Sequence, residues 1–184
     1  MDINTDITRT SWNTIDKDTS KNYLHYYPSN TKQRLAEFMA SNSLKRTLDL
    51  GCGNAQMYPI LKNSVSDVDY TGVDFSQNLA DTAREVIGTD TNARIVYDDI
   101  NKFIQTTNES YDVTILCHMV ECIESIDLVV SMAAKKSKYL AILWFDPPVY
   151  EYDTITIGAS PHPTGGNNPY IRRKIGAKYW QMIT

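Results

Sequence analysis

The stretch Thr47-Leu48-Asp49-Leu50-Gly51-Cys52-Gly53-Asn54 leads an apolar, strand-like segment directly into two glycines. Because glycine has no Cβ and tolerates positive φ, Gly51 and Gly53 let the backbone approach a ligand closely where a strand meets a helix. Asp49 places a carboxylate beside the turn, and Gln56 stands where the dinucleotide-binding fingerprint needs its third glycine. Both features disfavour the binding of a pyrophosphate. The stretch therefore predicts a ligand-binding turn whose ligand is not NAD.

Further motifs follow in order at the ends of predicted strands. A second apolar run ends in Asp74, a third is closed by Asp98-Asp99, and a fourth covers residues 111–117. Together with the glycine turn they resemble the class I S-adenosylmethionine-dependent methyltransferases over residues 48–145. The family has a small residue two positions after the second glycine, and here that residue is Ala55 instead of glycine. The resemblance implies a Rossmann-like domain with S-adenosyl-L-methionine as cofactor.

The same resemblance assigns cofactor-binding residues. A carboxylate at the position of Asp74 accepts from both ribose hydroxyls, and one at the position of Asp99 accepts from the adenine amino group, while the next backbone N–H meets a ring nitrogen. The alternative for Asp74 is a structural role in a turn or as a helix cap. The alternative for Asp98 and Asp99 is that both are loop carboxylates that contact no ligand. Aromatic residues near the N-terminus either cover the cofactor or pack a helix onto the sheet. The predicted cofactor-binding residues are Asp49, Gly51, Cys52, Gly53, Asp74, Phe75, Asp99, Ile100, Cys117 and Tyr23.

Residues just after the fourth strand are predicted to lie where methyl donor and acceptor meet. Methyl transfer is an in-line displacement that depends on alignment, and it needs a base only if the acceptor must lose a proton. His118, with an ordinary pKa near ~6.5, and Glu121 are the predicted catalytic residues. The alternative for His118 is that it packs on adenine or caps the strand. For Glu121, too, the alternative to a catalytic role is a packing or capping role.

Hydrophobic periodicity predicts one α/β domain with a mainly parallel sheet and helices on both faces, and the family resemblance implies the strand order 3-2-1-4-5. Its regions are an N-terminal cap (1–29), a cofactor-binding core (30–146), and an acceptor-side loop with a C-terminal helix (147–184). We expect the ligand at the carboxyl ends of the strands, near the point where the strand order reverses. The predicted strands are 47–50, 70–74, 93–97, 111–117 and 139–145, and the predicted helices are 31–41, 55–62, 77–87 and 126–137.

The C-terminal region departs from the family pattern. Residues 152–157 predict a short strand, residues 158–169 a Gly/Pro/Asn-rich loop over the pocket, and residues 171–183 a helix. Tyr170 and Arg172 are the predicted substrate residues, because arginine binds carboxylates and phosphates well. The alternative is a solvated basic helix face.

Two further expectations concern this region. The antiparallel hairpin that normally ends family members is expected to be absent or truncated, which leaves a sheet edge for a homo-oligomer to cover. Asp146-Pro147-Pro148-Val149 looks like the motif of amino-directed methyltransferases, but it follows the fifth strand instead of the fourth. We therefore interpret the similarity as one that does not indicate an amino-directed methyltransferase.

Composition narrows the class of protein. The net charge of −4 argues weakly against a nucleic-acid partner, and no apolar run approaches the ~20 residues of a membrane span. Cys52, Cys117 and Cys122 predict reduced thiols, and the histidines show no metal-ligand spacing with them. We therefore expect a cytoplasmic methyltransferase that acts on a small-molecule acceptor and holds no metal. The alternatives are a non-catalytic S-adenosylmethionine-binding module and a methyltransferase acting on nucleic acid or protein.

Overall fold

The computed structural model describes residues 12–23, 30–120, 123, 125–143, 154–161 and 167–174. Helices and strands alternate along most of this chain. The helices are α1 (Lys17–Tyr23), α2 (Asn30–Ser41), α3 (Met57–Ser64), α4 (Gln77–Ile87), α5 (Ile100–Thr106) and α6 (Ile126–Lys136). The strands are β1 (Arg46–Leu50), β2 (Asp69–Asp74), β3 (Ala93–Tyr97), β4 (Tyr111–Cys117), β5 (Ser137–Leu143), β6 (Thr154–Pro161) and β7 (Asn167–Lys174).

Five of the strands form one parallel sheet in the order β3-β2-β1-β4-β5. β1 therefore lies between β2 and β4, where the order of the chain through the sheet reverses. In open α/β sheets, ligands bind at the carboxyl ends of the strands beside this reversal. The predicted fold class and strand order are confirmed, and the glycine turn follows the strand at the reversal point.

The sheet is buried on both faces by two apolar clusters. One cluster joins buried residues of α2, α3 and α4 to one face, and the other joins residues of α5 and α6 to the opposite face. Side chains alternate between the faces of a strand, so β1 directs Leu48 and Leu50 into the second cluster. Asp49 lies on the other face, where it hydrogen-bonds Tyr70, a member of the first cluster.

The predicted elements of the core agree closely with the structure. β3 and β4 have the predicted bounds, α6 ends one residue earlier, and β5 spans 137–143 instead of 139–145. α3 begins at Met57, so Pro59 falls in the first turn, where a missing backbone N–H removes no intrahelical hydrogen bond. The Asp146-Pro147-Pro148-Val149 motif lies outside the described residues. None of the helices in the described ranges is both long and apolar enough to cross a membrane.

In the C-terminal region the predicted loop and helix are wrong, whereas the predicted strand at 152–157 overlaps β6. β6 and β7 pair as an antiparallel hairpin in a separate two-stranded sheet, with Thr154 opposite Lys174 and Pro161 opposite Asn167. Both ends of the predicted 158–169 loop thus lie in strands. The predicted 171–183 helix begins as a strand instead, and its residues 175–183 lie outside the described residues. The pairing between these two segments supplies the backbone hydrogen bonds that neither segment predicts alone.

Candidate functional site

The glycine turn after β1 is tied to the end of β2 by three consecutive backbone N–H groups. The N–H groups of Gly51 and Cys52 donate to the Val73 carbonyl at 2.8 and 3.0 Å, and that of Gly53 donates to Asp74 Oδ2 at 2.8 Å. Gly51 and Gly53 adopt φ of 71° and 56°, which glycine accepts without strain. Since these N–H groups bond within the protein, they do not form an anion cradle for a pyrophosphate.

Ala55 adopts the same left-handed backbone without being a glycine. Its φ is 59°, its side chain is fully buried, and its N–H donates to the Cys52 carbonyl at 2.9 Å. A left-handed conformation costs an L-residue roughly 1–2 kcal/mol, so the surrounding packing must hold the turn in place. The departure from glycine noted in the sequence therefore falls at a conformationally demanding position.

Asp74 is a buried carboxylate that organises the turn. Its Oδ1 accepts from the Ser76 N–H at 2.8 Å while Oδ2 accepts from Gly53. Burial raises the pKa of this carboxyl to about 6, although the N–H groups of Ser76 and Gly53 oppose the rise. The structure therefore shows that Asp74 stabilises the turn, which was one of the two roles that the sequence left open. Each oxygen can accept a second hydrogen bond, so the ribose role stays a prediction.

Asp49 is also buried, but its charge is less well compensated. Tyr70 donates to Oδ2 at 2.7 Å, whereas Oδ1 is buried without a hydrogen-bond partner among the described residues. Burial raises the pKa of the Asp49 carboxyl to about 6, with Tyr70 and the positive charge of Lys32 acting in the opposite direction. Burial also raises the pKa of the Tyr70 hydroxyl, which therefore remains a donor. The unpartnered oxygen is suited to a cationic donor of a ligand.

Lys32 and Gln56 form part of this site, although the sequence did not indicate either as a site residue. Lys32 lies on α2, is 3% exposed, and donates from Nζ to Gln56 Oε1 at 2.6 Å. Gln56 directly precedes α3, on the far side of the glycine turn from β1. A lysine at a buried position of an amphipathic helix is the one available sequence signal, and it becomes informative only when α2 is known to pack against α3, which follows the glycine turn.

Asp99 and Ile100 lie at the beginning of α5. Asp99 is the N-cap residue, and its side chain accepts from the N–H groups of Asn101 and Lys102. Ile100 is buried in the cluster that α5 and α6 form on the sheet. The cap role accounts for one use of the Asp99 carboxylate, and contact of these two residues with adenine stays a prediction. Phe75, also predicted to contact the cofactor, is partly buried between Asp74 and α4.

The segment after β4 brings His118 and Met119 to the same edge. His118 has φ 56°, donates its backbone N–H to the Leu143 carbonyl at 2.7 Å, and is half-buried. Burial and then the charge of Lys32 lower the pKa of its imidazole to about 4. The Met119 side chain packs against Gly51 so closely that an added Cβ would overlap it. Met119 belongs to the segment predicted to lie where donor and acceptor meet, although the sequence did not single it out, and Glu121 lies outside the described residues.

The two described cysteines are free thiols in different surroundings. Cys52 is buried, and an added Cβ at Gly72 would come within 2.9 Å of its Sγ, so the glycine in β2 leaves room for the turn. Cys117 is partly exposed at the end of β4, opposite Leu143 of β5. Both occupy the edge where the cofactor is predicted to bind, while Cys122 lies outside the described residues.

The N-terminal segment is attached to the turn and to α4. Asn54 Nδ2 donates to the Ser20 carbonyl at 2.6 Å, and Asn78 Nδ2 donates to the Ile15 carbonyl at 2.7 Å. These bonds place residues 15–20 beside the site, as a cap region would be. Tyr23 ends α1, but its side chain lies outside the description, so its predicted contact with the cofactor stays a prediction.

The predicted substrate residues are strand residues. Tyr170 and Arg172 lie on β7, opposite Gly158 and Thr156 of β6, and not on or before a helix. Their side chains are outside the description, and their contact with an acceptor stays a prediction. The searched residues contain no group of three or more His, Cys, Asp or Glu side chains placed to hold a metal ion.

The family of the core follows from its sequence. Residues 47–137 match the family model of the methyltransferase domain, from β1 through the start of β5. These residues are a class I S-adenosylmethionine-dependent methyltransferase domain. The match covers the glycine turn, both buried aspartates and the segment after β4. No curated protein sequence matches this chain.

Solved methyltransferases share the fold of this chain at low sequence identity. Plantazolicin methyltransferase BpumL is 22% identical with a TM-score of 0.56, over 70% of this chain and 52% of that chain. Magnesium protoporphyrin IX methyltransferase from Synechocystis PCC 6803 is 16% identical with a TM-score of 0.58, over 92% of this chain and 94% of that chain. The chain thus spans about half the length of the plantazolicin enzyme that it resembles.

We predict that Asp49→Asn changes how stability depends on pH. The carboxyl has a pKa of about 6 in the folded protein against its ordinary value of 3.8, so the folded state binds the proton more tightly. The free energy of unfolding of the wild type should therefore fall as the pH rises from 4 to 6, and the variant lacks the part of this fall that Asp49 contributes, while the part due to Asp74 remains. At about 1.4 kcal/mol for each pKa unit, the variant should gain roughly 3 kcal/mol over the wild type across this window.

Urea unfolding at several pH values measures this difference. Glu37→Gln, which removes an exposed carboxylate of α2, controls for the change in net charge. Parallel curves for Asp49→Asn and wild type would show that the Asp49 carboxyl is not perturbed by burial.

Proposed function

We propose that this protein is a methyltransferase that uses S-adenosyl-L-methionine to methylate a small-molecule acceptor. The observation that carries the proposal is the pair of buried carboxylates, Asp49 and Asp74, on either side of the glycine turn at the carboxyl end of the central strand. S-adenosylmethionine carries a net positive charge, so a site with two buried carboxylates attracts it. The membership of residues 47–137 in the methyltransferase-domain family supports the same conclusion.

The residues present fit this cofactor. Asp49 Oδ1 is a buried acceptor without a partner among the described residues, and the space beside Gly53 is open. Asp74 would accept from the ribose hydroxyls, while Phe75, Asp99 and Ile100 follow the same edge of the sheet toward the adenine. When bound, the cofactor would supply a sulfonium methyl group, whose carbon an aligned nucleophile of the acceptor would take while S-adenosylhomocysteine leaves with the carbon–sulfur bonding pair. The protein itself aligns the two reactants and excludes water.

Several features support a small acceptor. The net charge of −4 gives no broad attraction for a polyanion such as nucleic acid. The two solved enzymes described above carry the names of small acceptors, a plantazolicin peptide and magnesium protoporphyrin IX. We retain the expectation of a cytoplasmic protein, and a homo-oligomer through the edge at β5 remains part of the proposal.

We propose that His118 accepts a proton from the acceptor. With a pKa of about 4, its imidazole is neutral across the physiological range and is therefore able to accept a proton there. The same low pKa makes it a weak base, so we expect its contribution to lie near the lower end of general-base catalysis. Glu121 follows it closely in sequence and remains the second proposed catalytic residue.

A turnover assay with methyl-labelled S-adenosylmethionine tests the proposed function. The protein is incubated separately with a metabolite extract, bulk RNA and bulk protein, and Asp74→Asn serves as the variant with an impaired site. We expect label to enter the metabolite fraction with wild type and to fall strongly with the variant. Label in RNA or protein would overturn the small-molecule acceptor. Donor binding without turnover on any fraction would leave a non-catalytic binding module.

We predict that His118→Asn lowers kcat by about 10²-fold and leaves donor affinity near the wild-type value. Asparagine tolerates the left-handed backbone of this position, so the change removes the imidazole without adding strain. Single-turnover rates and equilibrium binding of S-adenosylhomocysteine separate the two effects. A fall in affinity with kcat preserved would instead show that the ring packs on adenine.

A further inference from the structure

The side chain of Met119 fills the space beside Gly51 in the glycine turn. A Cβ added to Gly51 would overlap Met119 Cγ, Sδ and Cε, so the thioether lies directly against the backbone there. The same side chain packs on the apolar cluster that α5 and α6 form on the sheet. An unbranched thioether adapts well to such an irregular gap. Met119 therefore connects the segment after β4 to the turn after β1.

His118, the preceding residue, adopts a left-handed backbone conformation. Its φ is 56°, and such a conformation costs an L-residue roughly 1–2 kcal/mol. Strained residues of this kind persist only where the surrounding structure holds them, and they are frequent at functional sites. The contacts on either side of His118 must therefore supply the energy that keeps it there.

Two attachments flank this strained residue. The backbone N–H of His118 donates to the Leu143 carbonyl of β5 at 2.7 Å. On the C-terminal side, Met119 packs against Gly51, and Val120 is fully buried in the same apolar cluster. Because the backbone dihedrals limit the rotamers that a side chain adopts, the position of the His118 imidazole depends on both attachments.

We propose that Met119 is a positioning residue, whose packing on Gly51 holds His118 in the conformation that directs its imidazole at the acceptor. The proposal rests on the proposed function, because it concerns how the proposed base is held. It gives the glycine turn a second role, as the support of the segment that follows β4. Met119 acts through His118 and takes no part in the reaction itself.

The competing account is that Met119 only fills space in the apolar cluster. In that case its truncation would lower the free energy of unfolding and leave the methyl-transfer rate of the folded protein unchanged. Met132 of α6 is a matched control, because it is another partly buried methionine packed against the same cluster but remote in sequence from His118.

The first test compares wild type with Met119→Ala, Met119→Leu and Met132→Ala. The methyl-transfer rate is measured with metabolite extract at saturating S-adenosylmethionine, and donor-site affinity is measured with S-adenosylhomocysteine. We expect Met119→Ala to lower the rate by roughly 10- to 100-fold with affinity near wild type, because small misplacements of a reacting group are costly. Met119→Leu should stay within about threefold of wild type, since leucine and methionine exchange well in cores. Met132→Ala should keep the wild-type rate.

A double-mutant cycle decides whether Met119 acts through His118. In the His118→Asn background, Met119→Ala should change the rate by less than about twofold, because the group that it positions is already absent. If Met119→Ala lowers the rate by the same factor in both backgrounds, the proposal is overturned. It is also overturned if the Met119→Ala rate is unchanged, if only donor affinity falls, or if Met132→Ala loses as much activity.

A measurement without turnover separates this proposal from the proposed function. The pKa of the His118 imidazole is followed by NMR, with His118→Asn identifying its signal. It should rise from about 4 toward the ordinary value near ~6.5 in Met119→Ala, because the imidazole is no longer held in its half-buried position, and stay unchanged in Met132→Ala. An unchanged pKa in both variants would overturn the positioning role.

Two remaining outcomes are also decisive. If wild type transfers no methyl group to any acceptor, the proposed function fails and the NMR titration alone decides whether Met119 positions His118. If Met119→Ala does not fold, Met119→Val removes only the end of the side chain, and the same comparisons apply with a smaller change in rate and pKa. Wild-type values in that variant would overturn the proposal.

Discussion

The compensation of two buried negative charges at the carboxyl ends of β1 and β2 is the constraint on which this site depends. Asp74 is compensated by backbone N–H groups of Gly53 and Ser76, which fixes the glycine turn against β2. Asp49 receives one hydrogen bond from Tyr70 and keeps a buried oxygen without a partner in the described chain. One carboxylate therefore builds the turn, and the other is left with capacity for a ligand. The parallel sheet makes this division possible, because it brings both strand ends to the same edge.

The core of the fold was predictable because local signals and tertiary structure agree there. Apolar runs of strand length alternate with amphipathic segments, and the parallel topology follows from that alternation. The C-terminal hairpin was not predictable in the same way. Residues 158–161 and 167–169 are rich in Gly, Pro, Ser and Asn, which indicates a loop, and their strand conformation comes from pairing with each other. Hydrophobic periodicity within one segment does not reveal a strand that depends on pairing with another segment.

The site was predictable to the extent that its residues sit at strand ends. Asp49, Asp74 and His118 each follow or end an apolar run, and the structure brings them to one edge. Lys32 could not be found in this way, because it lies on a helix before β1 and reaches the site only through the packing of α2. The second role of Asp99 as a helix cap was also hidden, since a cap and a ligand acceptor require the same residue type.

A crystal structure of the protein with S-adenosylhomocysteine tests the central claim most directly, because it locates the ligand independently of any activity. The account predicts that the ligand lies along the carboxyl ends of β1, β2 and β4, with its ribose hydroxyls hydrogen-bonded to Asp74. It also predicts that Asp49 Oδ1 gains a partner from the ligand. A ligand bound at another edge of the sheet, or one at this edge that leaves both carboxylates without a new contact, would contradict it.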